Sequence, residues 1–320
     1  MSIVAPSTVK SDGSTAPSSW WSRRATGAVP VDRAAAPPLS PRLQLIRAVL
    51  TLVFVLCVAM LLQLTVVSRF QHRAAQGQAF AKFRAELANG TAPIGPTDEG
   101  GRLLEPGRGV AYLEIPALDL QEVVGEGTTS GVLFDGPGHR RDTPLPGQIG
   151  TSVVMARRAS YGGPFHDAAR LPKGAAITVT TGQGVFHFRV IGVRFEGDPA
   201  PPPATAGGSR LMLVTASGRP YLPDGVARID AEIDGSPVVG PARAISTAGL
   251  PAEERAMAID ARTLWALALW LQALIVLSVG AVWAWHRWGR AQAWVVFIPP
   301  LMLVGLAAAG EAAHLLPNLL

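Results

Sequence analysis

Three stretches of the chain are apolar almost without a break. Residues 43–67 are interrupted only by Gln44, Arg47, Thr51, Gln63 and Thr65, residues 263–285 carry Gln272 as their one strongly polar side chain, and residues 291–310 contain the pair Pro299-Pro300. About 20 apolar residues in a helix cross a hydrocarbon core about 30 Å thick, so each run is expected to be a transmembrane helix. The double proline removes backbone donors, and the third run is expected to be a kinked helix or a kinked hairpin. Between the first two runs the pattern changes. Residues 68–109 begin with a stretch poor in helix breakers, in which Phe80, Phe83 and Leu87 fall at helical spacing. This predicts a juxtamembrane helix that lifts the following domain off the bilayer, then a linker with Pro93 and Pro96.

Residues 110–235 change period again. The segments 110–115, 120–124, 151–156, 175–181, 185–195, 210–216 and 226–233 are short and rich in β-branched or aromatic residues, with Gly and Pro clusters between them. Phe186, Phe188 and Val190 alternate with His187 and Arg189. About seven or eight short strands predict an all-β barrel or sandwich. Residues 236–262 form a linker into the second apolar run, and residues 1–42, rich in Ser, Ala and Pro, read as a disordered tail that includes the pair Trp20-Trp21.

Charge sets an orientation. Only 16 % of residues are charged, against about 25 % in ordinary soluble domains. The segment before residue 48 has a net charge of +4, residues 68–262 are neutral, and the loop after the second run has +2 from Arg287 and Arg290. The positive excess sits in the two flanks that a two-span topology places on one side, the cytoplasm by the positive-inside rule. The β domain is then extracytoplasmic and the N-terminus cytoplasmic. The basic balance is a topology signal and makes no case for nucleic-acid binding. Cys57 is the one cysteine, which excludes a disulfide framework or cysteine cluster built by this chain alone. Six histidines without ligand spacing give no metal site, and no cofactor fingerprint is present.

Several ordered motifs resemble the sortase family, in a class E-like actinobacterial form. They are Leu113-Glu114-Ile115-Pro116, Val124-Gly125-Glu126-Gly127-Thr128, Gly136-Pro137-Gly138-His139, Thr143-Pro144-Leu145-Pro146-Gly147-Gln148, Tyr161-Gly162-Gly163-Pro164-Phe165 and Leu211-Met212-Leu213-Val214-Thr215. The resemblance covers roughly residues 110–235 and implies a closed barrel of about eight strands, tethered to the membrane of a Gram-positive cell. It also implies cysteine transpeptidation, which joins secreted proteins to the cell wall or to a pilin.

That chemistry needs a thiolate nucleophile, a histidine acid for the leaving amine and an arginine beside the developing oxyanion. Matched to the family motifs, the cysteine position is Ala216, the histidine position is Arg157 in Met155-Ala156-Arg157-Arg158, and the arginine position is Arg228. Alanine has no nucleophile. Arginine has no acceptor and stays protonated. Ser217 adjoins Ala216, but consecutive strand side chains face opposite ways. Cys57 lies in the first span.

The expectation is therefore a sortase-like pseudoenzyme without cofactor or metal. Arg157, Arg158 and Arg228, with His139, are its binding candidates, in a cationic cleft for an anionic envelope ligand or for secreted or cell-wall proteins. Two alternatives are a hydrolase using Ser217 with His139, and a membrane-complex subunit acting through residues 263–310, with Gln272, the proline pair and Glu311 as its polar features. His166 and His187 are expected to be surface or packing residues.

Overall fold

The computed structural model describes residues 40–98 and 100–320. The expected tail, with Trp20-Trp21, lies outside these except at its end. The chain divides into two units, Met1–Ala48 and Val49–Leu320; the architecture below belongs to the second, apart from the start of α1. Helix α1, Pro41–Leu62, leads through a π-helical turn, Gln63–Val67, into α2, Ser68–Asn89.

Eight strands follow: β1 Gly109–Ile115, β2 Leu120–Glu126, β3 Gly138–His139, β4 Gly150–Met155, β5 Ala176–Thr181, β6 Gly184–Arg194, β7 Ser209–Arg219 and β8 Leu222–Ile233. They close a barrel in the order β1-β2-β3-β4-β7-β8-β6-β5. The pairs β2/β3 and β4/β7 are parallel and the others antiparallel. A six-residue helix, α3, Ser130–Asp135, precedes β3.

Alternation along the strands divides the barrel into two faces. Val154, Leu211, Leu213, Ile229 and Ala231 join Val110, Ile177 and Phe188 in the interior. The other parity points outward. Val153 and Met155 of β4, Val214 and Ala216 of β7 and Val226 of β8 form a second apolar cluster on the barrel's outer surface.

Helix α2 also makes contacts of its own with the domain that follows it. It lies on the barrel: Phe83 is buried with Val123 and Ala92, and Phe80 packs 5.2 Å from the Tyr112 ring. The Gln76 amide bonds both the N–H and the C=O of Val123, at 2.8 and 3.1 Å, standing in for a neighbouring strand. The three aromatic and aliphatic positions at helical spacing are a docking stripe, because β2 offers them an apolar surface to cover.

Residues 236–262 also follow the barrel surface. Val238 exchanges backbone bonds with Gly147 and Ile149. The Glu254 carboxylate, 1 % exposed, is gripped by both ends of the Arg141 guanidinium. Helices α4, Leu264–Trp288, and α5, Arg290–Ala313, then pack against each other. The proline pair does not split the third run: α5 continues through Pro299 and Pro300. Each proline forfeits one internal bond, and the turns on either side hold the helical path. Among the described residues, three helices are long and apolar enough to cross a membrane.

Candidate functional site

The outer face of β4, β7 and β8 carries the three positions singled out from the sequence, Arg157, Ala216 and Arg228. In the parallel β4/β7 ladder Met155 stands beside Val214. The chain stays in register one step further, since the Ala156 N–H bonds the Val214 carbonyl and Thr215 Oγ1 donates to the Ala156 carbonyl at 3.0 Å. Parity then puts Arg157 on the outer face next to Ala216. In the antiparallel β7/β8 ladder Ala216 faces Val226 and Val214 faces Arg228, so Arg228 joins the same face. The structure thus brings Arg157, Ala216 and Arg228 to one surface.

Their environments differ. Ala216 is 2 % exposed. Arg157 is fully buried, neither a solvated strand end nor the lining of an open cleft. Its guanidinium carbon lies 4.5 Å from the Phe134 ring centre and 5.3 Å from that of Tyr161, and these two rings stack 3.9 Å apart. Nη1 donates to Ser160 Oγ at 3.0 Å and to the Leu320 carbonyl at 3.4 Å. Nε and Nη2 have no partner among the described residues. Burial pushes the Arg157 pKa down to about 9, against a smaller opposing pull from Tyr161. The group therefore stays cationic at neutral pH and cannot accept a proton from a nucleophile.

Tyr161 reaches this position through backbone that side chains rarely adopt. Its φ is 51°, followed by Gly162 at 79° and Gly163 at 57°. A Cβ on Gly162 would lie 2.5 Å from the His72 ring, and one on Gly163 would lie 2.6 Å from the Arg158 carbonyl oxygen. The Tyr-Gly-Gly run is thus required both by its left-handed turn and by close packing against α2.

The remaining candidates separate. Arg158 is half-buried, donates to the Ala216 carbonyl at 3.3 Å, and lines a different cavity of about 730 Å³ with Arg69, Arg73 and His166. Arg228 is half-buried and has no carboxylate within ion-pair distance among the described residues. The single cationic cleft expected from the sequence is thus not formed: the three arginines serve an aromatic box, a second cavity and the β8 surface.

His139 is buried between Glu126, at 2.9 Å from Nδ1, and the Pro144 carbonyl, at 3.0 Å from Nε2. Burial opposes its charged form, but the Glu126 carboxylate and the carbonyl outweigh burial and the net shift is upward. Both nitrogens are engaged, and His139 ties β3 to β2. Ser217 donates to Asp224 Oδ1 at 2.6 Å. The structure therefore does not bring Ser217 and His139 together, because each is committed to a different carboxylate. His166 bonds the Gly163 carbonyl and lies 3.1 Å from Asp167, and His187 pairs with Thr178 on the barrel exterior.

The sequence reading missed what covers this face. Residues 317–320 lie across it. Leu319, fully buried, fills the apolar cluster with Leu133, Val153, Met155, Val214, Ala216 and Val226. Its carbonyl accepts from the Arg158 N–H at 3.0 Å, and Ser160 Oγ donates to the Leu320 carbonyl at 2.7 Å. The Asn318 amide donates to the Thr128 and Arg255 carbonyls, each at 2.9 Å.

Residues 113–221 match the family model described as the Sortase domain. No match to a curated protein was found. Among solved structures, a Clostridium perfringens Sortase D5 transpeptidase is 18% identical, covers 51% of this chain and 99% of its own, and aligns with a TM-score of 0.42. Sortase E from Streptomyces avermitilis is 28% identical over 48% of this chain and 100% of its own, with a TM-score of 0.35. Clostridium perfringens sortase C with the C-terminal cell wall sorting motif is 18% identical over 51% and 89%, with a TM-score of 0.38.

Proposed function

We propose, from the premise that residues 113–221 are a sortase domain, that this chain is a membrane-anchored extracytoplasmic pseudo-sortase. On this reading it binds or scaffolds cell-envelope proteins or their precursors and does not cleave them. One observation carries the reading. The face that would hold a thiol and its acid holds Ala216 and a buried Arg157, and neither attacks a carbonyl or returns a proton to a leaving amine.

The topology supports the location. The barrel precedes α4, residues 317–320 follow α5, and the two pack together. They therefore share one side of the membrane, which two crossings by α4 and α5 satisfy. Helix α1 has 22 residues, α4 has 25 and α5 has 24, and about 20 suffice for a span. The positive flanks support an extracytoplasmic barrel.

The test is turnover. The purified full chain, given a fluorogenic sorting-signal peptide and an amine acceptor, is expected to release no product above buffer. Product that disappears on Ser217→Ala would replace this reading with that of a hydrolase.

A further inference from the structure

We propose that residues 317–320 are a displaceable plug, and that the outer-face groove beneath them binds an extended peptide in which a leucine precedes a hydrogen-bond acceptor. The inference rests on reading this face as a binding surface rather than a catalytic one.

Three observations carry it. The first is the form of the contact. The plug is held as a peptide ligand is held, with one apolar side chain in a pocket and its main chain bonded on either side. Leu319 fills the pocket floored by Ala216. The Asn318 N–H bonds the Ala258 carbonyl at 2.9 Å, and the carbonyls of Leu319 and Leu320 accept from Arg158 and Ser160. Any chain with a leucine at the central position can make these main-chain bonds.

The second is that the plug leaves the groove incompletely satisfied. Arg157 is fully buried, yet its Nε and Nη2 have no partner among the described residues, and Asn318 Oδ1 is likewise unpaired. A buried cation with two idle donors is costly, and an acceptor brought to them recovers that cost. Leu320 offers Arg157 a carbonyl at 3.4 Å and an apolar side chain. A glutamate side chain at this point of a competing peptide supplies the missing acceptors, and a planar guanidinium takes a carboxylate in a two-pronged bond. The favoured ligand is therefore a segment with leucine followed by an acidic residue.

The third is the tether. The plug continues from α5, whose Ala313 packs with Leu64 of the first helical path and with Tyr161, partner of the Arg157 guanidinium. Movement of the α4–α5 hairpin therefore pulls on the plug directly, so the state of the membrane segment sets whether the groove is open.

The experiment uses the full chain in detergent, with Cys57→Ser as background. The probe is a fluorescent, amidated hexapeptide with the sequence of residues 315–320, beside a second carrying glutamate in the last position. Leu319→Glu puts a carboxylate into the apolar pocket and should expel the plug. Anisotropy is expected to show binding to this variant about tenfold or more tighter than to the wild type, and the glutamate peptide about tenfold tighter than the leucine one. Equal affinity for wild type and variant overturns the plug, and no binding by a folded variant overturns the peptide site. If Leu319→Glu does not fold, the pair Val214→Cys with Leu319→Cys decides. It should cross-link, bind no peptide when oxidised, and bind when reduced. Failure to cross-link, or binding unaffected by the bond, contradicts the proposal. Peptide turnover by the wild type would instead overturn the pseudo-sortase reading, with the affinity comparison unaffected.

Discussion

Cysteine placed at residue 216 is expected to yield no transpeptidation. The thiol of Ala216→Cys would sit in an apolar cluster under Leu319, and burial in such surroundings disfavours the thiolate. The adjoining Arg157 side chain is turned into the Phe134–Tyr161 stack and offers no acceptor for the thiol proton. Members of a catalytic constellation act as a unit, so one returned member recovers little. Adding Arg157→His supplies a titratable group but leaves residues 317–320 in place. The expected order is no measurable cleavage for Ala216→Cys, none for the double variant, and first activity only when Leu319→Glu is added. Rate assays on a sorting-signal peptide across this series check it. Cleavage by the single variant would show that Arg157 and the plug are no obstacle.

The second large effect concerns Arg157 itself. Its guanidinium is fully buried against the stacked Phe134 and Tyr161 rings and has no carboxylate side chain in ion-pair contact among the described residues. Arg157→Ala removes the filling of that box and leaves a cavity, at a cost of about 3 kcal/mol or more by analogy with large-to-small core changes. Arg157→Met keeps most of the volume and removes a charge that burial already disfavours, as the pKa pushed down to about 9 indicates. Replacing buried charge by apolar volume is often neutral or stabilising, so Met is expected within about 1 kcal/mol of wild type. Chemical denaturation of the three proteins measures this. Equal losses for Ala and Met would mean that the charge and not the packing holds the box together.

How far the sequence carries can be read from particular residues. Strand β6 is legible because its solvent and core sides alternate strictly: Phe186, Phe188 and Val190 are buried and His187 and Arg189 exposed. The same parity rule brings Arg157, Ala216 and Arg228 onto one face. Strand β3 is not legible. It is two residues long and exists only because β2 and β4 flank it. The docking of α2 is half legible: its stripe is periodic, but the stripe does not say whether it meets lipid, solvent or the barrel.

The covering of the site lies beyond local pattern. Arg157 and Leu320 are 163 positions apart, and residues 314–320 have neither helical nor strand period to announce a docking segment. Nothing in Met155-Ala156-Arg157-Arg158 distinguishes an arginine that faces solvent from one that closes an aromatic box. The distinction comes from Phe134 and Tyr161, contributed by a six-residue helix and a left-handed turn.

On the proposed reading, residues 317–320 fill the groove over Ala216, and that groove holds no nucleophile. Alkylation of Ala216→Cys, in the Cys57→Ser background of the folded full chain, measures this. A small membrane-impermeant reagent reaches the thiol only when residues 317–320 lift away. Labelling is expected to be at least about tenfold slower than for a free cysteine, since reaction must wait for local opening, and to be accelerated by Leu319→Glu. Labelling of Ala216→Cys faster than free cysteine, unchanged by Leu319→Glu, would show an open groove holding an activated thiolate, and would contradict this reading.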